Sequence, residues 1–243
     1  MIEIKELTVR FGGVTPIQAM DLTLPGGACG LIGPNGAGKT TFFNVLSGFV
    51  TPATGRVRAF GDDLLALPGH RRARWGLRRT FQTEQAIEQL SVYDNVAMVH
   101  EHTGGHRRDR HRDVLTALDF VGLSVSPTAP VGALGAGERR LVELARAVVG
   151  RPRVVLLDEP AAGLPDEETG RIGAVIRRIP AELDAMTVLV DHDMSLVSAC
   201  CDVTAVLDFG RLVAAGPTQE VLRDEHVVRA YLGTEEIASE ESR

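Results

Sequence analysis

ACGLIGPNGAGKTTFFNVL, residues 28–46, decides the fold. An apolar run enters a glycine loop, the loop ends in Lys39-Thr40-Thr41, and an amphipathic stretch follows. Gly33, Gly38, Lys39 and Thr40 satisfy the spacing G-x-x-x-x-G-K-[ST] in the context that spacing requires. A strand delivers the chain to a turn of small residues, Pro34, Asn35, Gly36 and Ala37, whose backbone N–H groups, proline excepted, can face phosphate oxygens. The helix that follows adds the positive end of its dipole. Lys39 is placed to reach the β- and γ-phosphates and the Thr40 hydroxyl to hold Mg²⁺, with Thr41 in the same turn. A glycine-rich turn joining any strand to any helix would account for the loop, but not for both flanks. A nucleoside triphosphate with Mg²⁺ is the expected ligand.

Outward from the loop, residues 1–60 read as strands with turns at Gly12-Gly13 and Pro25-Gly26-Gly27. Leu64 to Arg79 reads as a polar, partly helical connection. From Ser91 to Gly122 the pattern is helical, VYDNVAMVHEH and then RDVLTALDFVGL, with Thr103-Gly104-Gly105 between them. A Pro/Ala loop at 127–133 precedes another helix, ERRLVELARAVVG. Strand and helix then alternate: VVLLD, a helix to Ile179, TVLVD, a helix to Cys201, AVLDFG and a short C-terminal helix. The expectation is one α/β domain over 1–243 with a mixed sheet, interrupted at about 83–150 by a helical subdomain. The tail TEEIASEESR is acidic, polar and expected to fray.

The second informative stretch is Val154-Val155-Leu156-Leu157-Asp158-Glu159. A run without polar alternation fits a central parallel strand buried on both faces. Its carboxyl end is where open α/β sheets bind ligands. Asp158 there can bind a phosphate-bridging Mg²⁺, directly or through water. Glu159 can polarise an attacking water as a general base. Neighbouring side chains on a regular strand face opposite ways, so the pair can act together only if the strand ends there. Pro160 biases Glu159 away from helix and helps that ending.

The bulk properties narrow the class. With 243 residues and 44% hydrophobic content, the chain can bury a real core. A net charge of −6 argues against nucleic acid as the partner of the chain as a whole. Cys29, Cys200 and Cys201 lack C-x-x-C spacing and sit in apolar stretches, as expected of buried thiols in a reducing compartment. MIEIKELTVR alternates like a strand and lacks the basic and apolar regions of a signal peptide. Arg71, Arg72, Arg74, Arg78 and Arg79 around Trp75 could form a phosphate patch, but a solvated helix face suits the acidic whole better. His100, His102, His106 and His111 are too irregular, and too deep in Gly-rich loop, to read as a zinc site.

These motifs together resemble the ATP-binding subunits of ABC transporters along essentially the whole chain. The resemblance makes the phosphate loop a Walker A and VVLLDE a Walker B. It makes Gln82 in RRTFQ the Q-loop glutamine, which contacts Mg²⁺ or the water, and His192 in VDHDM the switch histidine at the γ-phosphate. Phe11 in VRFGG takes the position of an aromatic against adenine. Leu134-Gly135-Ala136-Gly137-Glu138 fills the slot of the LSGGQ signature, with Gly135 and Gly137 facing the γ-phosphate of a second subunit. The implied catalytic set is Glu159, His192 and Gln82, and the implied metal set Thr40, Gln82 and Asp158.

The resemblance implies an ATP hydrolase on the cytoplasmic face of the membrane, working with transmembrane permease subunits and a second cassette in a head-to-tail dimer around two ATP molecules. RRTFQ, LDEPAAGL, DHDM and VVRAYLG look like importers of branched-chain amino acids, served indirectly by a solute-binding protein. Urea and short-amide importers share this cassette type. LSVYDNV and DEHVVRAYLG are also similar to the lipopolysaccharide-export ATPase. A soluble ABC ATPase acting on ribosomes or DNA is a further alternative, though such proteins usually carry two cassettes or a coiled-coil insert. A small-molecule kinase would leave Glu159 and the signature slot without a role. Two positions depart from the family: Gly135 stands for the signature serine, and Pro165 follows Leu164 where the D-loop carries Asp or Asn.

Overall fold

The computed structural model describes residues 1–225 and Val227. The VVRAYLG segment and the acidic tail lie outside the described residues, apart from Val227. The chain divides into two compact units, Met1–Gly69 with the chain from Val188 onward, and His70–Thr187.

In the first unit, β1 (Ile2–Phe11) and β2 (Val14–Leu24) form an antiparallel hairpin turning at Gly12-Gly13. The buried positions of β1 switch from even (Ile2, Ile4) to odd (Leu7, Val9), which a regular strand cannot do. A register shift between Ile4 and Leu7, with Glu6 at φ 48, inserts the extra residue that flips the pleat. Asp21 Oδ1 accepts the Glu6 N–H at 2.9 Å and satisfies the bulge.

β3 (Ala28–Ile32) is buried at every position. It runs into α1 (Lys39–Ser47), which buries Phe42, Phe43, Val45 and Leu46 and stops at Gly48, whose N–H returns to Asn44 and Val45 carbonyls at φ 82. β4 (Thr54–Ala59) pairs with β1, and β5 (Asp62–Asp63) extends it before α2 (Gly69–Trp75) begins.

The second unit carries β6 (Leu77–Arg79), α3 (Val92–His102), α4 (Arg110–Phe120), α5 (Ala136–Val148), β7 (Val154–Asp158) and α6 (Asp166–Leu183). β8 (Met186–Val190) leads back to the first unit through α7 (Met194–Cys200). There β9 (Val203–Asp208) pairs parallel with β3 and antiparallel with β10 (Arg211–Pro217), a mixed sheet, and α8 (Thr218–Val221) follows. All three cysteines are free and buried, and burial pushes the Cys29 and Cys201 thiols up.

Three elements differ from the sequence expectation. Leu77–Arg79 is a strand, not part of a helical connection. Gly76, at φ 118, ends α2 and its carbonyl accepts the N–H groups of Arg153 and Val154, which fixes β6 beside β7. α6 continues past Ile179 through Pro180 to Leu183, where Arg178 and Glu182 bind each other bidentately one turn apart. β10 pairs back onto β9 across a turn at Phe209-Gly210, a strand absent from the sequence expectation, which passes from AVLDFG to a short C-terminal helix.

The helical stretch of the second unit is pinned by one buried amide. Asn95 is fully buried; its Oδ1 accepts the Ile87 N–H at 2.8 Å, and its Nδ2 donates to the Ile87 and Ser91 carbonyls at 3.0 Å each. Asn95→Leu strands those groups without partners and is expected to lower stability by about 2–4 kcal/mol, read as a shifted urea midpoint with an unchanged slope.

Candidate nucleotide site

The phosphate loop is shaped by positions where only glycine fits. Gly33 and Gly38 have φ of 154 and 105. A Cβ on Gly33 would enter the van der Waals sphere of the Leu207 carbonyl oxygen, and one on Gly38 that of the Pro16 carbonyl oxygen. Lys39 is 6% exposed, and its Nζ donates to the Gly33 and Pro34 carbonyls at 2.5 and 3.0 Å. The ammonium charge therefore sits within the loop's own curve. α1 begins with no side-chain cap at Gly38 and no acidic residue in its first turn, so the first amides and the dipole are directed at the loop unneutralised. This cradle suits a chain of phosphates. Thr40 is exposed and Thr41 half-buried on the first turn.

Two further predicted residues lie in the same unit. Phe11 ends β1 against the Gly12-Gly13 turn with 52% of its surface exposed, as a ring available for stacking. His192 is exposed between β8 and α7. Its turn is rigid: Asp191 Oδ1 accepts the Asp193 N–H, and Asp193 Oδ1 caps α7 through the Ser195 and Leu196 N–H groups.

In the second unit β7 ends at Asp158, and Glu159 turns the chain out of the strand at φ 48. The strand thus stops where the acid pair needs it to. Gln82 Nε2 donates to Glu159 Oε2 at 3.0 Å, so the structure brings those two predicted residues together. Asp158 is buried and is held by two residues that sequence reasoning left out. Arg79 Nη2 donates to its Oδ2 at 2.9 Å, and its own N–H donates to Thr80 Oγ1 at 3.1 Å.

The segment around Gln82 is also tied to α5. Arg139 Nε meets Glu84 Oε2 at 2.9 Å, and the buried Glu143 accepts the Gln85 N–H at 3.0 Å. Gly135 caps α5, with its N–H donated to Glu138 Oε2 at 3.0 Å. Gly137 is buried against Glu168; a Cβ there would lie 2.6 Å from the Glu168 carboxyl carbon. Pro165 starts α6, where a missing N–H costs nothing.

Only part of the arginine run is solvated: Arg71 and Arg74 are exposed, and the other three are not. Arg72 and Arg78 are 5% and 6% exposed, and burial pushes the Arg78 guanidinium down to about 10. Arg79 is on Asp158, and Trp75 packs under the Arg153 guanidinium at 4.1 Å. His100 is buried with its Nε2 3.0 Å from Asp113 Oδ2.

The ABC transporter family matches residues 17–162, and the branched-chain amino acid ATP-binding cassette transporter family matches residues 211–237. The high-affinity branched-chain amino acid transport ATP-binding protein BraF of Pseudomonas aeruginosa is 35% identical, over 96% of this chain and 98% of that protein. Its counterpart LivG of Escherichia coli is 34% identical over the same shares. The methionine import ATP-binding protein MetN 1 of Burkholderia ambifaria is 36% identical, over 96% of this chain and 70% of its own length. Among solved structures, an ATP-binding cassette of an ABC transporter (MJ1267) in its ADP conformation superposes with a TM-score of 0.86. It is 25% identical, over 96% of this chain and 98% of that one. The chain belongs to the ABC transporter family, as an α/β cassette subunit that binds and hydrolyses ATP to power transport.

Proposed function

We propose that this cassette powers the import of branched-chain amino acids from the cytoplasmic face of the membrane. The observation that carries the reading is the agreement of BraF and LivG over nearly the whole chain with the separate match at residues 211–237. No helix among the described residues is long and apolar enough to cross a membrane, and permease subunits would carry the cargo across. A solute-binding protein would deliver the cargo to them. The test is reconstitution of the chain with its permeases and binding protein in liposomes. ATP-dependent leucine uptake is the expected result. Uptake of methionine or urea instead, or outward movement of a lipid, would overturn it.

The residues take the following parts. Lys39 and the backbone N–H groups of the phosphate loop beyond Pro34 hold the phosphates, and Phe11 stacks on adenine. Glu159 polarises the attacking water, with Gln82 setting its orientation, and His192 steadies the γ-phosphate. The hydroxyl of Thr40, the amide oxygen of Gln82 and the carboxylate of Asp158 are hard oxygen donors that would hold Mg²⁺, which would supply positive charge to the phosphates.

Gly135 and Gly137 serve the nucleotide of a second cassette in a head-to-tail dimer, and here the chain is poorly equipped. Gly135 lacks the serine hydroxyl, its N–H is already given to Glu138, and Pro165 offers neither N–H nor polar side chain. The pair is therefore a lopsided heterodimer in which this chain's own ATP is hydrolysed faster than its partner's. Gly135→Ser fits sterically, since φ is −67 and the nearest atom to a new Cβ is Glu138 Oε2 at 3.8 Å. Restoring one hydrogen bond to a charged phosphate, about 1.5–3 kcal/mol, should raise turnover at the partner's site on the order of ten- to a hundredfold. Unchanged turnover in the assembled transporter, measured with this chain's Glu159 replaced by Gln, would remove the asymmetry argument.

A further inference from the structure

The Arg79–Asp158 pair has no part in the reaction as described, yet one of its members is read above as the magnesium carboxylate. Its geometry follows from the sheet. β6 and β7 run parallel with Arg79 opposite Leu156, and Asp158 lies two residues further along, on the same face as Leu156. A long arginine side chain spans that offset and reaches Asp158 Oδ2 at 2.9 Å, with the two side chains 5% and 7% exposed. Behind it, the guanidinium lies over the Phe81 ring at 4.8 Å from the centroid. Phe81 precedes Gln82, whose amide is on Glu159. Residues 79–82 thus hold both carboxylates, Asp158 through Arg79 and Glu159 through Gln82.

We propose that Arg79 is a positioning residue that competes with the divalent cation for Asp158. In the metal-free site the guanidinium neutralises the buried carboxylate and fixes its rotamer. When the cation binds, two positive groups claim one carboxylate, and Arg79 gives up Oδ2 while keeping its place over the Phe81 ring. Metal affinity is thereby held below what the carboxylate alone would supply, which eases metal release after turnover. This rests on Asp158 being the metal carboxylate, and the experiment separates the two claims.

Mn²⁺ is titrated into the ADP-loaded full chain, with free Mn²⁺ read by electron paramagnetic resonance. Asp158→Asn should weaken binding at least about tenfold, the loss of one charged oxygen ligand. Arg79→Gln, which keeps an amide donor and removes the charge, should tighten Mn²⁺ about tenfold, equivalent to 1.4 kcal/mol. Arg79→Lys, which keeps the charge, should stay within about twofold of the parent. ADP affinity in EDTA should be unchanged in all three. If Asp158→Asn binds Mn²⁺ like the parent, the reading of Asp158 fails and the competition with it. If Asp158→Asn is weakened while Arg79→Gln is unchanged or weaker, only the competition fails. Should Arg79→Gln not fold, a crystal structure of the parent with Mg²⁺ and ADP decides. An Arg79–Asp158 separation beyond hydrogen-bond range supports the proposal, and a retained 2.9 Å bond with metal present overturns it.

Discussion

Glu159→Gln is expected to reduce ATP turnover by about 10²–10⁴-fold, the usual contribution of a positioned general base, while ATP stays bound. The substitution is nearly isosteric. The turn at φ 48 imposes the same backbone on either residue, and the new amide oxygen can still accept the Gln82 N–H now given to Glu159 Oε2 at 3.0 Å. What is lost is the anionic oxygen that draws a proton from water. Hydrolysis removes the triphosphates that a head-to-tail dimer holds between its two cassettes, so the variant should persist as an ATP-bound dimer. Size-exclusion chromatography with light scattering, together with recovery of unhydrolysed ATP from the dimer peak, checks this. Turnover at the parent rate would remove Glu159 from its role and leave Gln82 orienting a bystander.

The same pair shows where the sequence was legible and where it was not. The phosphate loop and the end of β7 are contiguous in sequence, so spacing alone places Gly33, Lys39 and Asp158 relative to their own elements. A run without polar alternation, stopped by Asp-Glu-Pro, also placed the strand ending at Asp158. The contacts that orient those groups span long sequence separations. Arg79 meets Asp158 across 79 residues, and Arg139 meets Glu84 across 55.

Neither contact leaves a local signal, and Arg79 sits on a three-residue strand, β6, too short to show a period. Misreading β6 as part of a polar connection also turned Arg78 and Arg79 into surface residues. The acidic balance of the whole chain reinforced the error, since a net charge does not say which cations are buried. β10 was missed for a related reason. Its small and alternating residues, RLVAAGP, pair only because β9 supplies the edge.

Gly38→Ala is expected to abolish measurable nucleotide binding and to destabilise the fold by about 2–4 kcal/mol, from strain at a positive φ and overpacking together. At φ 105 an alanine is strained in any surroundings, and here its methyl would also drive into the Pro16 carbonyl of β2. The chain can relieve that overlap only by moving residue 38, and α1 begins at the next residue. The first-turn amides and the Lys39 ammonium, now held at 2.5 Å from the Gly33 carbonyl, would leave the curve that faces the phosphates. Gly36→Ala supplies the contrast. Its φ of 79 also disfavours a side chain, but a Cβ there would meet nothing within 4 Å. It should cost only about 1–2 kcal/mol for the left-handed backbone and keep the cradle's shape. Thermal denaturation and binding of a fluorescent ATP analogue measure both variants. If Gly36→Ala loses nucleotide as completely as Gly38→Ala, backbone freedom and not packing against Pro16 is what the glycines supply. If Gly38→Ala binds while Gly36→Ala does not, the cradle is built differently from the way its carbonyls and amides are described above.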